Sequence, residues 1–295
     1  KVFFANSGAE ANEGAIKTAR KYSSDKYGSG RSTIVTFNNS FHGRTVTTLA
    51  ATGQEHFHKY FSPFTEGFKY TPLNDEKSLA EALTRDVCAV MCEPIQGEGG
   101  VNLMTDEFAA VLKSLCREKD ILIIADEVQT GIGRTGKMFA FEHFAGFKPD
   151  IITVAKGLGG GLPIGAFLCN EKTAGVLGKG DHGSTFGGNP VCCAGATKVL
   201  EIVSAPGFLK DVSEKGEYLT KKLKSIDSQN ITEVRGKGLM VGIEIQSSPK
   251  EAAEKALEKG LLVLTAGSNV VRLLPPLTIT KEQIDEGVSI LAEVL

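Results

Sequence analysis

Several features that would mark a specialised class of protein are missing from this chain of 295 residues. No apolar run reaches the roughly 18 residues of a membrane-spanning helix, so the sequence gives no reason to expect a membrane partner. A formal net charge of -2 likewise gives no electrostatic reason to expect nucleic acid or an anionic lipid surface. No two cysteines have CxxC spacing, and the five histidines add no second ligand cluster, which disfavours a metal site.

The six cysteines favour a reducing compartment over a disulfide framework. Most of them lie within apolar stretches, where a free cysteine behaves as a small buried hydrophobe. A chain of this length buries about three quarters of its unfolded surface and therefore needs no disulfides. We predict a cytoplasmic protein, with the mitochondrial matrix as the alternative. The cysteines are Cys88, Cys92, Cys116, Cys169, Cys192 and Cys193.

What the sequence does contain is an alternation of apolar strands and amphipathic helices. Short runs rich in β-branched residues are separated by segments of helical periodicity, for example Glu107–Glu118. This order is typical of βαβ units, so we predict an α/β fold with a mainly parallel sheet covered on both faces. The predicted strands are Val2–Ala5, Thr33–Phe37, Val87–Cys92, Ile121–Ala125, Ile151–Ala155 and Ile164–Cys169.

The pattern changes after Pro190, where a long helical stretch begins and is interrupted near Pro206. We therefore predict a large domain at residues 1–190 and a smaller α+β domain, with its connecting helix, at residues 191–295. Because the chain opens directly on the strand-like run Lys1–Phe4, we expect a further N-terminal segment in the whole protein. The predicted elements after the long helical stretch are strands Ile231–Arg235, Leu239–Ile245, Leu261–Leu264 and Val270–Leu273, a helix Lys250–Lys259 and a helix from Lys281.

Three predicted strands are each followed directly by a charged side chain. The three are Glu93, Asp126 and Lys156, and ligands bind at the carboxyl ends of parallel strands. Asp126 and Lys156 are 30 residues apart, about one strand-helix-strand crossover, so both side chains should reach the same crevice. An amine that forms an imine and an acid that keeps a ring nitrogen protonated suit a pyridoxal cofactor. Taken singly, Lys156 also fits a solvated loop lysine and Asp126 a helix cap.

A phosphate would need a nest of backbone N–H groups, and Phe3–Asn12 offers one. The stretch is typical of a strand, a tight turn and a helix N-terminus, where free N–H groups and the helix dipole favour an anion. The same Ser-Gly pattern is often only a helix cap. The glycine-rich loop Asp181–Pro190 supplies further hydroxyl donors.

The stretch Gly131–Lys137 satisfies two nucleotide-binding patterns, GxGxxG and GxxxxGK. Dinucleotide binding needs the glycines immediately after the strand, whereas Asp126–Thr130 intervene here. A P-loop needs Ser or Thr after its lysine, and this chain has Met138. A P-loop nucleotide hydrolase is therefore the alternative from a different functional class, and a non-catalytic scaffold with an idle site is a third.

Seven stretches, taken together and in this order, resemble class III, fold-type-I aminotransferases. Such a set is far more specific than any one of its members, and it covers nearly the whole chain. The resemblance makes Gly131–Lys137 a plain loop of the family. The stretches are Ser7–Asn12, Phe41–Thr45, Glu93–Gly100, Asp126–Gly131, Ala155–Gly157, His182–Pro190 and Arg272–Pro276.

The resemblance implies a cofactor, pyridoxal 5′-phosphate, and roles around its ring. Lys156 would carry the cofactor as an imine and then act as the base that moves the substrate proton. Asp126 would pair with the ring nitrogen and Gln129 would approach the ring hydroxyl. Val128 and Phe41 would cover the two ring faces.

The resemblance also implies a phosphate site that is shared between two subunits. Ser7, Gly8 and Ala9 would surround the phosphate, the last two through their backbone N–H groups. Thr185 would reach the phosphate of the partner subunit's cofactor, which implies a homodimer with shared active sites. Glu127 is counted among the cofactor-binding residues.

For the small-molecule substrates, the resemblance implies two carboxylate sites. Arg44 would clamp a substrate carboxylate with its guanidinium fork, and Ser184 would contact the substrate from the neighbouring chain. Glu98 and Arg272 resemble a switchable ion pair that opens to bind the second carboxylate of 2-oxoglutarate or glutamate. The motifs fit members that transfer the δ-amino group of N2-acetyl-L-ornithine to 2-oxoglutarate, with ornithine and succinylornithine as alternative substrates.

Overall fold

The computed structural model describes all residues from Lys1 to Leu295. Thirteen strands and eight α-helices are labelled here in chain order. The strands are β1 (Val2–Ala5), β2 (Thr33–Phe37), β3 (Phe68–Thr71), β4 (Val87–Cys92), β5 (Ile95–Gln96), β6 (Asn102–Leu103), β7 (Leu122–Asp126), β8 (Ile151–Val154), β9 (Gly165–Cys169), β10 (Ile231–Lys237), β11 (Met240–Ile245), β12 (Leu264–Ala266) and β13 (Val270–Leu273). The helices are α1 (Gly8–Tyr27), α2 (Val46–Ala51), α3 (Glu76–Ala82), α4 (Asp106–Glu118), α5 (Pro190–Val203), α6 (Phe208–Lys224), α7 (Pro249–Glu258) and α8 (Lys281–Val294).

The chain forms two compact units, and each is made of segments that are discontinuous in sequence. The large unit contains residues 1–94, 104–129 and 141–201. The small unit contains residues 95–103, 130–140 and 202–295. The sequence predicts one cut after residue 190, and that domain division stays a prediction beside this discontinuous grouping.

A seven-stranded sheet in the order β1-β9-β8-β7-β4-β2-β3 forms the centre of the large unit. The strands from β8 to β3 run parallel to one another, whereas β9 is antiparallel to both of its neighbours. Every residue of β2, β4 and β7 is buried. A strand that is covered on both faces gains from apolar side chains at every position, which explains their continuous hydrophobic runs.

Helix α4 shows how the sequence specifies one of the covering helices. The side chain of Thr105 accepts the backbone N–H of Phe108 and caps the first turn, where Asp106 and Glu107 complement the helix dipole. The apolar stripe of α4 packs into a core that includes Phe37, whose ring meets that of Phe108 edge-on at 5.6 Å. Such spacing of apolar residues buries one helix face against a sheet.

The small unit is built on an antiparallel sheet in the order β10-β11-β13-β12. Helices α6, α7 and α8 supply apolar side chains to its core. The loop Gly131–Lys137 packs inside this unit, because the guanidinium of Arg134 donates to the carbonyl oxygens of Leu239 (3.0 Å) and Pro275 (2.5 Å). Burial lowers the pKa of Arg134 to about 10.

The α/β fold class with a mainly parallel sheet is confirmed. Strands β3, β5 and β6 were not predicted. The strand predicted at Leu261–Leu264 was wrong in its bounds, because β12 begins at Leu264. The P-loop alternative loses its structural context, because no α-helix begins directly after Lys137. The next α-helix in the chain is α5, which begins at Pro190.

No group of three or more His, Cys, Asp or Glu side chains could hold a metal ion. No single helix has the length and apolar composition to cross a bilayer, and only α5 and α6 taken together reach them.

Truncating Phe108 tests the core that supports the large sheet. The side chain is 1% exposed, so Phe108→Ala should lower the free energy of unfolding by about 3–5 kcal/mol because it removes buried apolar area and leaves a cavity. The control is Phe61→Ala, since Phe61 is 59% exposed. Urea unfolding followed by circular dichroism measures both, and equal losses in the two variants would contradict the assigned core.

Candidate active site

A cavity of about 520 Å³ lies at the carboxyl edge of the large sheet, and every residue of its lining belongs to the large unit. The carboxyl ends of parallel strands share one edge of a sheet, so side chains that follow neighbouring strands converge there. Four neighbouring strands contribute: Phe41 follows β2, Glu93 follows β4, Asp126 ends β7 and Lys156 follows β8.

The carboxylate of Asp126 is held by three donors and is 3% exposed. Its Oδ2 accepts from Asn12 Nδ2 and from His42 Nδ1, each at 2.8 Å, and its Oδ1 accepts the backbone N–H of Val128 at 3.0 Å. Because an ionised carboxylate can only accept, His42 carries its proton on Nδ1. The three bonds fix the orientation of a buried negative group at the cavity wall.

Lys156 supplies the amine group of the cavity. It begins a short 3₁₀ helix directly after the strand β8 and Ala155. Its backbone φ of 39° lies in the left-handed region, which residues other than glycine rarely adopt. Such strain is typical of functional sites, because the surrounding structure must hold it in place. No hydrogen bond or ion pair occupies its Nζ.

The N-terminus of α1 forms another part of the cavity wall. Ser7 caps the helix, and its Oγ accepts the N–H of Glu10 at 3.2 Å. The N–H groups of Gly8 and Ala9 lie in the first helical turn, where no carbonyl group of the helix is available to them. Both residues line the cavity. The helix N-terminus is therefore a suitable site for a phosphate group.

The turn Phe41–Arg44 carries an aromatic ring and a guanidinium to the cavity. The backbone N–H of Phe41 donates to Glu93 Oε2 at 3.0 Å. Gly43 has a φ of 136°, and a Cβ there would lie 2.9 Å from the Cβ of Ala9. Only glycine allows this turn to approach α1 so closely. The Arg44 guanidinium lies over the Phe41 ring at 5.8 Å.

Glu93 is a second buried acid in the cavity wall, and it is 5% exposed. Burial raises the pKa of Glu93 to about 7, mainly because a charged carboxylate loses its hydration there. The nearby charges of His42 and Lys156 oppose this shift, and that of Asp126 adds to it. Near neutral pH the cavity therefore holds an acid, Glu93, that changes its protonation state.

Five of the residues to which the sequence assigned a role do not line the cavity. Ser184 and Thr185 are exposed, and Ser184 Oγ accepts from Asn6 Nδ2 at 3.1 Å. Glu127 is buried, and its Oε1 accepts the N–H of Phe141 at 2.8 Å. The other two are Glu98 and Arg272.

Glu98 and Arg272 form an ion pair within the small unit. Glu98 lies between the hairpin strands β5 and β6, and Arg272 lies in β13. The Arg272 Nη1 is 2.9 Å from Glu98 Oε2, with side chains 7% and 35% exposed, respectively. The carboxylate of Glu98 is therefore the more exposed member of the pair.

Sequence reasoning assigned no role to three polar residues that the structure brings to the cavity: Asn12, His42 and Glu93. Glu93 had a usable signal, because it follows a strand in the same way as Asp126. For Asn12 and His42 the only signal was their place in stretches that resemble the family. Their contacts with Asp126 join segments that are 114 and 84 residues apart, which no local pattern reveals.

The residues present fit pyridoxal 5′-phosphate. Its ring nitrogen, its aldehyde and its phosphate need an acid, an amine and a nest of N–H groups, respectively. Asp126, Lys156 and the start of α1 offer these three groups in one cavity. The buried Nε2 of His42 has no hydrogen-bond partner, so the bond from Nδ1 is the one polar anchor of its ring beside Asp126.

Comparison with known proteins gives one consistent result. The family described as aminotransferase class-III matches residues 1–295. The acetylornithine aminotransferase of Caldanaerobacter subterraneus subsp. tengcongensis is 55% identical over 298 residues, which cover 100% of this chain and 75% of that protein. The acetylornithine aminotransferase of Bacillus subtilis is 50% identical, with the same coverage.

Solved structures agree with this result. An ornithine aminotransferase from Toxoplasma gondii superposes with a TM-score of 0.94 at 34% identity, covering 100% of this chain and 72% of that one. A transaminase from the marine bacterium Virgibacillus gives 0.95 at 27% identity, with coverage of 99% and 74%. The chain therefore belongs to the class-III aminotransferases, a family of enzymes that depend on pyridoxal 5′-phosphate.

Proposed function

We propose that this enzyme transfers the δ-amino group of N2-acetyl-L-ornithine to 2-oxoglutarate. The products are N-acetyl-L-glutamate 5-semialdehyde and L-glutamate, and the step belongs to arginine biosynthesis. The observation that carries the proposal is the cavity in which Asp126, Lys156 and Arg44 meet. Relatives named acetylornithine aminotransferase support the choice of substrate, since they are 46–55% identical across 99–100% of this chain.

Ornithine δ-aminotransferase activity is the second candidate. Several similar solved structures are ornithine aminotransferases, but they are only 34–37% identical to this chain. Succinylornithine differs from acetylornithine only in its acyl group. Its δ-amine and α-carboxylate would therefore bind at the same positions, beside the cofactor and at Arg44. The higher sequence identity to acetylornithine aminotransferases favours acetylornithine as the substrate.

In the proposed reaction the bound cofactor supplies an electron sink for the substrate carbon. Asp126 keeps the ring nitrogen protonated, because its carboxylate is fixed by three donors and faces the cavity. Lys156 binds the cofactor and, once displaced, moves the proton with its Nζ. Val128 and Phe41 restrain the ring faces, Gln129 approaches the ring hydroxyl, and Ser7, Gly8 and Ala9 hold the phosphate.

Arg44 clamps the α-carboxylate of the amino substrate. Its side chain is exposed and lines the cavity, and a guanidinium fork binds a carboxylate through two parallel hydrogen bonds. Arg272 binds the second carboxylate of 2-oxoglutarate after Glu98 moves away. The closed ion pair, at 2.9 Å, neutralises Arg272 while an amino substrate without that carboxylate is bound.

A homodimer completes the active site in this proposal. Large apolar side chains are exposed on the large unit around the loop that carries Ser184 and Thr185, and an exposed apolar patch is typical of a protein interface. Thr185 then reaches the partner's phosphate site and Ser184 the partner's substrate. Glu127 lies next to Asp126 in the chain and accepts the backbone N–H of Phe141. The exposed side chains are Phe4, Leu162, Phe186 and Val191.

The proposed location is the cytoplasm, with the mitochondrial matrix as the alternative. All six cysteines are free, and four of them are buried. Free buried thiols are typical of a reducing compartment.

The amino-donor preference tests the proposed substrate. We expect kcat/KM with 2-oxoglutarate to be larger for N2-acetyl-L-ornithine than for L-ornithine by at least about tenfold. Binding ornithine desolvates a second free ammonium, and a cost of about 1.4 kcal/mol is enough for that ratio. Initial rates of glutamate formation at saturating 2-oxoglutarate give the ratio. A larger kcat/KM with ornithine would make ornithine the substrate, and N2-succinylornithine run in parallel separates the acyl groups.

Replacing Glu93 tests the buried acid through stability against pH. The pKa of Glu93 is raised by burial, so its favourable contribution is present at low pH and is lost as pH rises through about 7. Glu93→Gln keeps an oxygen for the N–H of Phe41 but does not titrate. Between pH 5 and pH 8 the native protein should therefore lose about 2–3 kcal/mol of unfolding free energy relative to the variant. Urea unfolding of the cofactor-free proteins measures it, and a difference that does not change with pH would refute the assignment.

A further inference from the structure

The guanidinium of Arg44 rests on two aromatic rings, and one of them has no assigned role. Its Cζ lies 4.8 Å from the centre of the Phe57 ring and 5.8 Å from that of Phe41. The two rings meet edge-on, at 5.5 Å and an interplanar angle of 70°. Phe57 therefore contacts both the ring that covers the cofactor and the cation that clamps the carboxylate.

The segment that carries Phe57 is attached firmly to the end of the strand β2. Gly53 forms a parallel bridge with Asn38, and a Cβ on Gly53 would lie 2.1 Å from the carbonyl oxygen of Phe37. Any other residue at this position would push the segment away from the strand. The backbone N–H of Gly53 also donates to Ser40 Oγ at 3.0 Å.

Two further side chains fix the same segment on either side of Phe57. Gln54 is 8% exposed, and its Nε2 donates to the carbonyl oxygen of Ser40 at 3.0 Å. His58 Nε2 donates to the carbonyl oxygen of Leu49 in α2 at 2.9 Å. Phe57 is thus half-buried on a short 3₁₀ helix, Glu55–Phe57, that is anchored at both ends.

We propose that Phe57 is a positioning residue that fixes Arg44 relative to Phe41 and thereby selects the chain length of the amino substrate. This inference rests on the proposed function, because it concerns a substrate whose amine and carboxylate are held at the two ends of one site. An exposed arginine samples many rotamers, and an aromatic ring beneath the planar guanidinium restricts them through cation–π attraction and stacking.

Chain length follows from the two contacts of Phe57. The reacting amine must reach the cofactor beside Phe41, while the carboxylate must reach Arg44. Phe57 touches both residues, so their separation is fixed before the substrate binds. A substrate that is longer or shorter by one methylene group then satisfies only one of the two ends, and preorganisation of this kind discriminates through the end that is left unpaired.

The test compares three variants of the cofactor-loaded enzyme. Phe57→Leu removes the ring, Phe57→Tyr keeps it, and Phe61→Leu is the control. Phe61 lies in the same segment and is 59% exposed. Absorption spectra of the bound cofactor and melting temperatures check that each variant retains its cofactor and its fold.

The first measurement is kcat/KM for N2-acetylornithine and for its homologues with one methylene fewer and one more. We expect Phe57→Leu to lower kcat/KM for acetylornithine about tenfold, mainly through KM, and to bring the three substrates close together. Phe57→Tyr and Phe61→Leu should keep the preference of the unmodified enzyme. An unchanged preference in Phe57→Leu overturns the proposal.

The second measurement separates this inference from the proposed reaction. Glutarate has carboxylates but neither an amine nor a keto group, so its dissociation constant reports carboxylate binding whatever the amino substrate is. We expect Phe57→Leu to weaken glutarate binding about fivefold, and Arg44→Ala to weaken it at least as much. If the unmodified enzyme does not transaminate acetylornithine, the proposed reaction is wrong. If Phe57→Leu binds glutarate as tightly as the unmodified enzyme does, the proposed role of Phe57 is wrong.

Discussion

The rest of the site depends on the hydrogen bonds that fix the carboxylate of Asp126. A buried negative charge is unfavourable unless donors compensate it, and here Asn12, His42 and the N–H of Val128 do so from three separate segments. The same three bonds hold the acid at one orientation, facing the cavity that also contains Lys156. In the proposed reaction, the cofactor ring withdraws electrons only while its nitrogen is protonated, and an acid held beside that nitrogen would keep it so.

The sheet explains why these groups meet. The strands β8, β7, β4 and β2 are neighbours and run parallel, so whatever follows each of them arrives at one edge. Buried apolar side chains set the register of the strands, and the residues after the strands inherit that order. Catalytic chemistry at this edge is therefore a consequence of core packing, and the polar groups need no separate device to bring them together.

Part of this arrangement could be predicted from the sequence. Continuous apolar runs predicted the central strands, and the charged residues after them predicted that Asp126 and Lys156 share a crevice. The strand β3 was missed because Phe68–Thr71 includes a lysine and a tyrosine and so lacks a continuous apolar run. This composition is possible because β3 is an edge strand of the sheet. Contacts of Asn12, His42 and Phe57 depend on tertiary proximity between distant segments, which local periodicity does not encode. Glu93 was visible as a strand-end acid, but its burial was not.

The identity of the amine that holds the cofactor decides whether Lys156 has the role proposed here. The protein, given pyridoxal 5′-phosphate, is reduced with borohydride, digested and mapped by mass spectrometry, with Lys156→Arg treated in parallel. We expect the added mass on the peptide that contains Lys156, together with visible absorption before reduction that the variant lacks. Cofactor attached to a different lysine, or a colourless protein that takes up none, would contradict the account.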